Sequence, residues 1–407
     1  MWQTGSKNFT DADRGGPARG RVGKRMKMKK IVIIGANSFQ NPLILKAKEI
    51  GYETHVFAWK DGSPGERTAD FFYPISIVER ERILEECKKI KPDAVASIGS
   101  DLAMLTVNYV AGKLGLPCNS MECTRVSTNK YEMRKAFLKA GVPVPRFVKA
   151  DGMTDRSEFA ELHLPVIVKP TDRSGSRGIT KLESWDGLEE AVQAAAECSF
   201  EKKTIVEEYL TGEEFSCECI SFKGTHHFLA VTKKYTTGSP HFIETGHMEP
   251  SGLSEEQTGC VKKAVFQALD ALGVENGASH TEFMMDEEGC VKIIETGARM
   301  GGDCIGSDLV FLSTGLDFVR MVIDTACGRE PDLQPVSEKK TACIRFIFSG
   351  KDLELLEKLK KESPEKITFI SEIEKIEEGC VTDSSSRFGY FIMALDSREE
   401  AEEYMKL

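Results

Sequence analysis

The chain has 407 residues, of which 41% are hydrophobic, so it is long enough for two or three domains with cores of their own. Its net charge of −10 argues against nucleic acid or an anionic membrane surface as the main partner. No segment reaches the roughly 18 consecutive apolar residues that a membrane-spanning helix needs. Twelve scattered cysteines are typical of a reduced, cytoplasmic protein, and the one close pair, Cys217 and Cys219, predicts packed thiols rather than a metal site.

The first 28 residues differ from the rest of the chain. They are basic, rich in glycine and polar residues, and lack the hydrophobic stretch of a secretory signal. We expect a disordered extension here, with a nucleic-acid-binding arm as the alternative.

Strands and helices alternate over residues 29–125. Strands are predicted at Ile31–Ile34, Glu53–Ala58 and Ala94–Ile98, with helices between and after them. This alternation predicts an open α/β domain with a parallel sheet. The first turn, Gly35–Gln40, lacks the second and third glycines of the dinucleotide fingerprint. The domain is therefore expected to be Rossmann-like without a nicotinamide cofactor, which disfavours an oxidoreductase.

The middle of the chain, residues 126–330, predicts a second α/β domain. Helices are expected at Tyr131–Ala140 and Glu255–Leu272. The strands expected between these helices are Val166–Val168, Thr204–Glu208 and Glu213–Ser221. Two prolines then mark a linker, and residues 335–407 predict a small α+β unit.

A β-hairpin that carries two glutamates is the most specific pattern in the chain. Two strand-like segments flank the turn signal Glu288–Gly289. If those two residues form the loop, Glu282 lies directly opposite Glu295, and any even-numbered loop keeps both on one face. Because like charges that face each other repel, the pair predicts a bound cation. Two carboxylates on a solvated hairpin are the alternative.

Basic and small residues elsewhere complete a set that suits a nucleoside triphosphate. Lys130 precedes a helix, Lys169 ends a strand, and residues 174–178 form a loop of small residues. Arg299 and Gly301–Gly302 follow the hairpin, offering a positive fork and a backbone that anions can approach. A triphosphate carries about four negative charges, which cations, backbone donors and carboxylate-bound Mg²⁺ can meet. The joint order of these features, rather than any one of them, carries the prediction.

In this order of motifs the sequence resembles the ATP-grasp superfamily over about residues 29–330. The resemblance implies an α/β ATP-grasp fold behind the Rossmann-like domain, with a lid lobe at about residues 166–212. It implies that Glu282 and Glu295 bind two Mg²⁺ or Mn²⁺ ions. The ATP-binding residues that it implies are Lys130, Lys169, Ser174, Gly175, Ser176, Gly178, Glu207, Glu208, Leu210 and Glu214, the last of these at the ribose.

The segment after the hairpin resembles the dipeptide-forming amino-acid ligases within the superfamily. Many members have an asparagine two residues after the second glutamate as a further metal ligand, where this chain has Gly297. Those ligases also carry a Glu-x-x-His that meets the substrate amino group, and Glu244 and His247 have that spacing. Asp303 is expected to face the same substrate pocket. A polar surface loop, or a zinc site that includes His241, is the alternative.

The resemblance implies an ATP-dependent ligase that joins a carboxylate to an amine through an acylphosphate and releases ADP and phosphate. Arg299 and backbone amides near Gly301 and Gly302 would hold the developing oxyanion. The alternatives are a carboxylase of the biotin or purine type, disfavoured by the segment Met300–Asp303, and a non-catalytic ATP-binding protein. The expected partners are small-molecule carboxylates and amines, without nucleic acid or membrane, and a homodimer is left open.

Overall fold

The structure is a computed structural model that describes residues 28–175, 177–239, 242–377, 383–384 and 386–406. Within that part of the chain, no helix is long and apolar enough to cross a membrane. The N-terminal extension expected from the sequence lies outside the described residues except for Met28, which is exposed.

The N-terminal domain is built on a parallel sheet with the strand order β3-β2-β1-β4. Its elements are β1 (Lys30–Ile34), α1 (Asn41–Glu49), β2 (Glu53–Phe57), α2 (Pro64–Thr68), β3 (Phe71–Tyr73), α3 (Arg80–Ile90), β4 (Ala94–Ala96) and α4 (Asp101–Leu114). All four apolar side chains Ile31–Ile34 are fully buried, because helices cover both faces of the sheet. Ser100 caps α4 by accepting from the Ala103 amide, which places Asp101 at the carboxyl edge of the sheet.

A small antiparallel sheet follows, with the strand order β5-β8-β6-β7. Two helices lead into it, and the sheet itself carries one helix on its apolar face. The elements are α5 (Met121–Ser127), α6 (Lys130–Ala140), β5 (Phe147–Ala150), β6 (Val166–Pro170), β7 (Thr180–Leu182), α7 (Leu188–Cys198) and β8 (Thr204–Glu208). Three of its four strands, β6, β7 and β8, fall within residues 166–212, for which the resemblance implies a lid lobe.

The remaining strands form one eight-stranded antiparallel sheet, ordered β13-β12-β9-β10-β11-β14-β16-β15. The C-terminal segment belongs to this sheet, since β14 pairs with β11. The elements are β9 (Glu213–Phe222), β10 (Thr225–Thr236), β11 (Glu244–Glu249), α8 (Glu255–Leu272), β12 (Gly277–Met285), β13 (Val291–Gly297), α9 (Val310–Thr314), α10 (Phe318–Ala326), β14 (Thr341–Phe346), α11 (Gly350–Glu362), β15 (Ile367–Ile370), β16 (Tyr390–Leu395) and α12 (Arg398–Met405).

Helix α10 ties the two larger units together. Phe318, Val319 and Val322 of this helix pack against the face of the N-terminal sheet that also carries α1. The same helix also packs on one face of the large sheet, and α6 and α8 cover the opposite face of that sheet. Ser254 and Gln257 form a capping box that begins α8. The carboxyl edge of the parallel sheet is thereby held against the end of β13, where Gly99 approaches Gly302.

The hairpin β12–β13 pairs Glu282 with Glu295, as the sequence predicts, although the loop is different. The prediction of a two-residue loop was wrong, because Met285 pairs with Val291 and five residues lie between them. A five-residue loop alone would place Glu282 opposite Ile294. A β-bulge at Ile294 restores the pairing, since the next pair after Glu282–Glu295 is Phe283–Ile293.

Strands β10 and β11 were missed by the sequence analysis. His226 and His227 lie near the start of β10 and are half-buried. The segment from Glu244 to Glu249, for which a polar surface loop was the alternative to a substrate site, is a largely buried strand in the middle of the large sheet. The domain boundaries inferred from the sequence stay predictions.

Candidate active site

A cleft of about 190 Å³ lies between the small sheet and the large sheet. It is lined by twelve of the residues that the sequence analysis selected, which come from α6, β6, β8, four strands of the large sheet and the loops that follow β6, β8 and β13. These are Lys130, Lys169, Ser174, Gly175, Glu207, Glu208, Leu210, Glu214, Glu244, Glu282, Glu295 and Arg299. Of the others, Ser176 lies outside the described residues, and those that do not line the cleft are Gly178, His247, Gly301, Gly302 and Asp303.

Lys130 connects the loop between β6 and β7, which we call the lid loop, to the carboxylate hairpin β12–β13. Asn129 caps α6 by accepting from the amides of the next turn, which fixes Lys130 as the first residue of the helix. The Lys130 Nζ donates to Glu295 Oε1 at 2.8 Å and to the Arg173 carbonyl oxygen at 2.6 Å. A cation therefore stands beside one of the two facing glutamates.

Lys169 belongs to a buried ion-pair cluster with Glu207 and Arg134. Its Nζ lies 2.6 Å from Glu207 Oε2, while Arg134 Nε lies 2.6 Å from Glu207 Oε1. Burial lowers the pKa of Lys169, and Glu207 opposes that shift. For Glu207, burial favours the neutral form, but Arg134 and Lys169 outweigh it and hold its pKa below the usual range. The site therefore presents a desolvated ammonium group to the cleft.

Arg134 is a residue that the sequence analysis missed. Its side chain is fully buried, and its Nη2 atom donates to the carbonyl oxygen of Ile294 at 2.5 Å. That carbonyl belongs to the bulged residue of β13, so Arg134 stabilises the bulge that sets the Glu282–Glu295 pairing. The available signal was the spacing Lys130-x-x-x-Arg134, which places both cations on one face of α6.

Lys234 lies among three carboxylates of the cleft and was also missed. Its Nζ is 2.6 Å from Glu214 Oε1, 2.7 Å from Glu282 Oε1 and 3.7 Å from Glu244 Oε1. Burial opposes its charge, but the three carboxylates raise its pKa well above the ordinary value. No local signal separates it from Lys233, which pairs with Glu213 near the surface.

Glu208 and Leu210, which are predicted to bind the nucleotide, lie on the wall of the cleft that the small sheet forms. Leu210 follows β8, and Tyr209 beside it stacks obliquely on Phe242, with 6.0 Å between ring centroids. Glu208 accepts hydrogen bonds from the amide and the ring of His163. Gly178 has a positive φ and packs closely against Pro170, so it shapes the lid loop without facing the cleft.

Arg299 reaches from the end of β13 to the N-terminal domain. Its Nε and a terminal nitrogen bind the two carboxylate oxygens of Asp101 at 2.9 and 3.0 Å. A Cβ atom at Gly297 would lie 2.9 Å from Arg299 Nε and 3.0 Å from Asp101 Oδ1. The ion pair thus occupies the space that an asparagine at position 297 would need, which explains the departure of this chain from many ATP-grasp members.

Glu218 and His280 form a buried pair, of which His280 lines the cleft and Glu218 lies behind it. The His280 Nδ1 contacts Glu218 Oε1, and Glu218 Oε2 accepts from the Gly301 amide at 2.9 Å. Burial disfavours the charged ring, but Glu218 raises the pKa of His280 to about 9. The Gly301 amide, which the sequence analysis expected to hold the developing oxyanion, therefore already donates to Glu218.

The three predicted substrate residues lie near one another at the C-terminal side of the cleft. A β-bulge between β10 and β11 brings Glu244 and His247 to the same face of the sheet. Glu244 lines the cleft, whereas His247 is buried, with its Nε2 3.5 Å from Asp303 Oδ2. Asp303 forms a two-pronged ion pair with Arg387 at 2.7 and 2.9 Å.

The C-terminal segment therefore contacts both predicted substrate acids. The Ser384 hydroxyl donates to Glu244 Oε2 at 2.6 Å, and the Arg387 guanidinium lies 3.5 Å from the ring centroid of Phe346. Burial opposes ionisation of Asp303, but Arg387 lowers its pKa far below the usual range. Because its charge is already balanced by Arg387, Asp303 does not offer a free carboxylate to a cationic substrate.

The residues at the hairpin fit a hard divalent cation. Mg²⁺ in proteins is usually bound by one or two carboxylates together with substrate phosphates and water. Glu282 and Glu295 supply two carboxylates on one face, and a lysine ammonium lies beside each of them. Across the described ranges, no group of three or more His, Cys, Asp and Glu side chains is arranged to hold a metal. The donor set therefore suits a metal that arrives with a phosphate ligand.

The sequence left two alternatives that involved a bound metal, one at the cysteine pair and one at a zinc site that includes His241. Cys217 and Cys219 are buried free thiols with sulfur atoms 3.8 Å apart, as expected for a packed, reduced pair. The alternative zinc site includes His241, which lies outside the described residues.

Comparison with protein families decides the fold. The sequence profile of the ATP-grasp domain matches residues 162–308, which include the cleft-lining strands and the carboxylate hairpin. The chain contains an ATP-grasp domain. This match confirms the resemblance and the fold class inferred from the order of motifs.

The curated relatives of this chain include an alanine–anticapsin ligase and several D-alanine–D-alanine ligases. It is 28% identical over 312 residues to the alanine–anticapsin ligase of Bacillus subtilis strain 168, an alignment that covers 67% of this chain and 65% of that protein. It is 27% identical over 200 residues to the D-alanine–D-alanine ligase of Hydrogenovibrio crunogenus, covering 46% of this chain and 61% of that one. The chain thus spans less than two thirds of the length of these relatives.

A solved structure gives the same architecture over nearly the whole chain. The L-amino acid ligase from Bacillus licheniformis superposes with a TM-score of 0.77 at 23% identity, covering 93% of this chain and 97% of that one. The likeness shows that the N-terminal domain, the ATP-grasp domain and the C-terminal strands together form a known arrangement.

Proposed function

We propose that this chain is an ATP-dependent ligase that joins a carboxylate to an amine and releases ADP and phosphate. The observation that carries the proposal is the pairing of Glu282 with Glu295 in a cleft that also holds Lys130 and Lys169. Two acids for a cation and two ammonium groups for phosphates are the charges that phosphoryl transfer from ATP to a carboxylate requires. The names of the curated relatives support the same class of reaction.

The reaction has two balanced steps. A carboxylate oxygen attacks the γ-phosphorus of ATP, the bond to the β-phosphate oxygen breaks, and an acylphosphate and ADP result. The amine nitrogen then attacks the acyl carbon, phosphate leaves with the carboxylate oxygen, and the nitrogen loses a proton to give the amide. Lys130 and Lys169 hold phosphates, and Arg299 orients the reacting carboxylate. Magnesium bound by Glu282 and Glu295 would neutralise phosphate charge.

The substrates that we propose are amino-acid-like. Glu244 lines the cleft with an acidic side chain that can receive an ammonium group, and Asp303 and His247 lie behind it. The relatives named as amino-acid ligases support this class. The pairing of Asp303 with Arg387 argues that the amine substrate has no additional cationic side chain at this point.

Three finer expectations from the sequence stay predictions. They are the use of two Mg²⁺ or Mn²⁺ ions, the formation of a homodimer and a cytoplasmic location. Metal titration with a nucleotide analogue counts the ions, and light scattering of the purified chain measures the oligomeric state.

Isotope transfer tests the acylphosphate directly. With a substrate labelled by ¹⁸O at both carboxylate oxygens, one ¹⁸O should appear in the released phosphate and one should stay in the amide. Mass spectrometry of the phosphate measures this transfer. Unlabelled phosphate would show that ATP is hydrolysed by water and that no acylphosphate forms.

A further inference from the structure

Two buried residues, His280 in the lining of the cleft and Glu218 behind it, take no part in the proposed reaction. Glu218 lies on β9 and His280 on β12, and the two pair directly across the ladder. The Glu218 side chain is fully buried. A carboxylate in such a place is costly unless it is paired and hydrogen-bonded, so its partners indicate what the pair does.

The Glu218 carboxylate joins two separate parts of the site. One oxygen contacts His280 Nδ1, and the other accepts from the Gly301 amide at 2.9 Å. The second ring nitrogen of His280, Nε2, lies 3.4 Å from Glu282 Oε1. A continuous path of polar contacts therefore runs from the loop after β13 to the glutamate proposed to bind magnesium.

The loop after β13 packs directly onto this pair. A Cβ atom at Gly301 would lie 2.7 Å from Glu218 Oε1 and 2.9 Å from His280 Nδ1. At the next residue, Gly302, a Cβ atom would meet nothing within 4 Å. The close approach is therefore specific to position 301, where the loop rests on the Glu218–His280 pair.

We propose that Glu218 and His280 are positioning residues that fix the Glu282 carboxylate relative to the loop that carries Arg299. The inference rests on the proposed function, in which Glu282 binds magnesium and Arg299 orients the substrate carboxylate. His280 hydrogen-bonds the metal-binding carboxylate, and Glu218 holds both the ring and the loop. Residues that hydrogen-bond metal ligands in this way orient them, and their loss typically lowers metal affinity.

The test measures metal binding apart from turnover. Wild-type protein, Glu218→Gln and His280→Gln are titrated with Mn²⁺ by electron paramagnetic resonance in the presence of a non-hydrolysable ATP analogue. Both variants should bind Mn²⁺ about 10- to 100-fold more weakly than wild type. Binding of the metal-free analogue, measured by calorimetry, should be unchanged, because neither residue lines the adenine or ribose side.

Glu249→Gln is the matched control. Glu249 is also a fully buried carboxylate of the large sheet, but it is bonded by the hydroxyls of Thr232 and Ser313 rather than to the cleft. The same change of acid to amide should therefore leave Mn²⁺ affinity at the wild-type value. An equal loss in Glu249→Gln would overturn the proposal, since general disturbance of the sheet would then explain the effect.

Wild-type Mn²⁺ affinity in both Glu218→Gln and His280→Gln also overturns it. If Glu218→Gln does not fold, His280→Gln alone decides, because it removes the contact to Glu282 from the other end. A failure of the proposed function would give a different result from a failure of this inference. In that case wild type binds Mn²⁺ with the nucleotide analogue and yet couples no acid to any amine, and the comparison of metal affinities keeps its meaning.

Discussion

Arg299 and Asp101 form a two-pronged ion pair that joins the ATP-grasp cleft to the carboxyl edge of the N-terminal sheet. Burial opposes the charge of Asp101, but Arg299 lowers its pKa below the usual range. Asp101 is the first residue of α4, a place where a carboxylate is also favoured by the helix dipole. The pair makes the N-terminal domain part of the candidate active site.

Replacing Gly297 with asparagine should reduce activity, although many ATP-grasp members have asparagine there. Its Cβ would lie 2.9 Å from Arg299 Nε, so the new side chain displaces the ion pair with Asp101. We expect turnover to fall about 10- to 100-fold, the loss of one charge-assisted contact. Phosphate release measures it. Tighter Mn²⁺ binding with full turnover would show instead that the missing ligand can simply be restored.

Lys169→Ala should weaken ATP binding while the fold stays intact. The variant removes a desolvated cation from the cleft, but Glu207 keeps its ion pair with Arg134. We expect about 10- to 100-fold lower affinity by calorimetry. Lys203→Ala serves as the control, because Lys203 pairs with Asp151 outside the cleft. Equal ATP affinity in the two variants would contradict the assignment of Lys169 to the nucleotide.

Glu249 should make the protein less stable as the pH rises. Burial raises the pKa of Glu249 to about 7, against the opposing hydrogen bonds from Thr232 and Ser313. An unfolded glutamate titrates near 4.3, so the folded state holds the proton to higher pH. Stability therefore falls between about pH 4.3 and 7 and stays at the lower value above it.

Glu249→Gln removes this dependence. Relative to the variant, the wild-type free energy of unfolding should drop by roughly 3 kcal/mol across that window. Denaturant unfolding of both proteins from pH 5 to 8 measures the difference. A difference that does not change with pH would mean that the Glu249 carboxyl titrates as it does in the unfolded chain.

Glu244→Ala should impair use of the amine substrate and leave ATP binding unchanged. Glu244 lines the cleft on the side opposite the small sheet, where an ammonium group would meet its carboxylate. We expect the KM for the amine to rise about 10- to 100-fold. Ser384→Ala removes only a neutral donor to Glu244, so its effect should be about tenfold or less. Normal amine KM in Glu244→Ala would place the amine elsewhere.

The order of motifs along the chain, through its resemblance to the ATP-grasp superfamily, was sufficient to predict the fold class, and strand and helix periodicity gave many of the individual elements because it is a local pattern. Counting along the two strands predicted the pairing of Glu282 with Glu295, but it did not predict the structural feature that produces this pairing. It depends on a bulge at Ile294 whose carbonyl is bound by Arg134, about 160 residues earlier in the chain. Contacts at that separation leave no trace in local sequence periodicity.

Buried charges are the part of the site that sequence patterns do not reveal. Lys233 and Lys234 are adjacent and chemically identical, yet only Lys234 is enclosed by three cleft carboxylates. Likewise, Asp101 lies just beyond a predicted strand, and no local pattern indicates that Arg299 binds it. Which lysine or aspartate is desolvated is decided by tertiary packing, and only the structure supplies it.

The central claim is tested most directly by a coupling assay over a matrix of amino-acid pairs with ATP and Mg²⁺. ADP and phosphate are measured by enzymatic assay and the amide by mass spectrometry, with Glu282→Gln as the inactive control. The account predicts that at least one pair gives ADP, phosphate and amide in equal amounts, and that the control gives none. ATP turnover that needs bicarbonate but no amine, or no turnover with any pair, would contradict it.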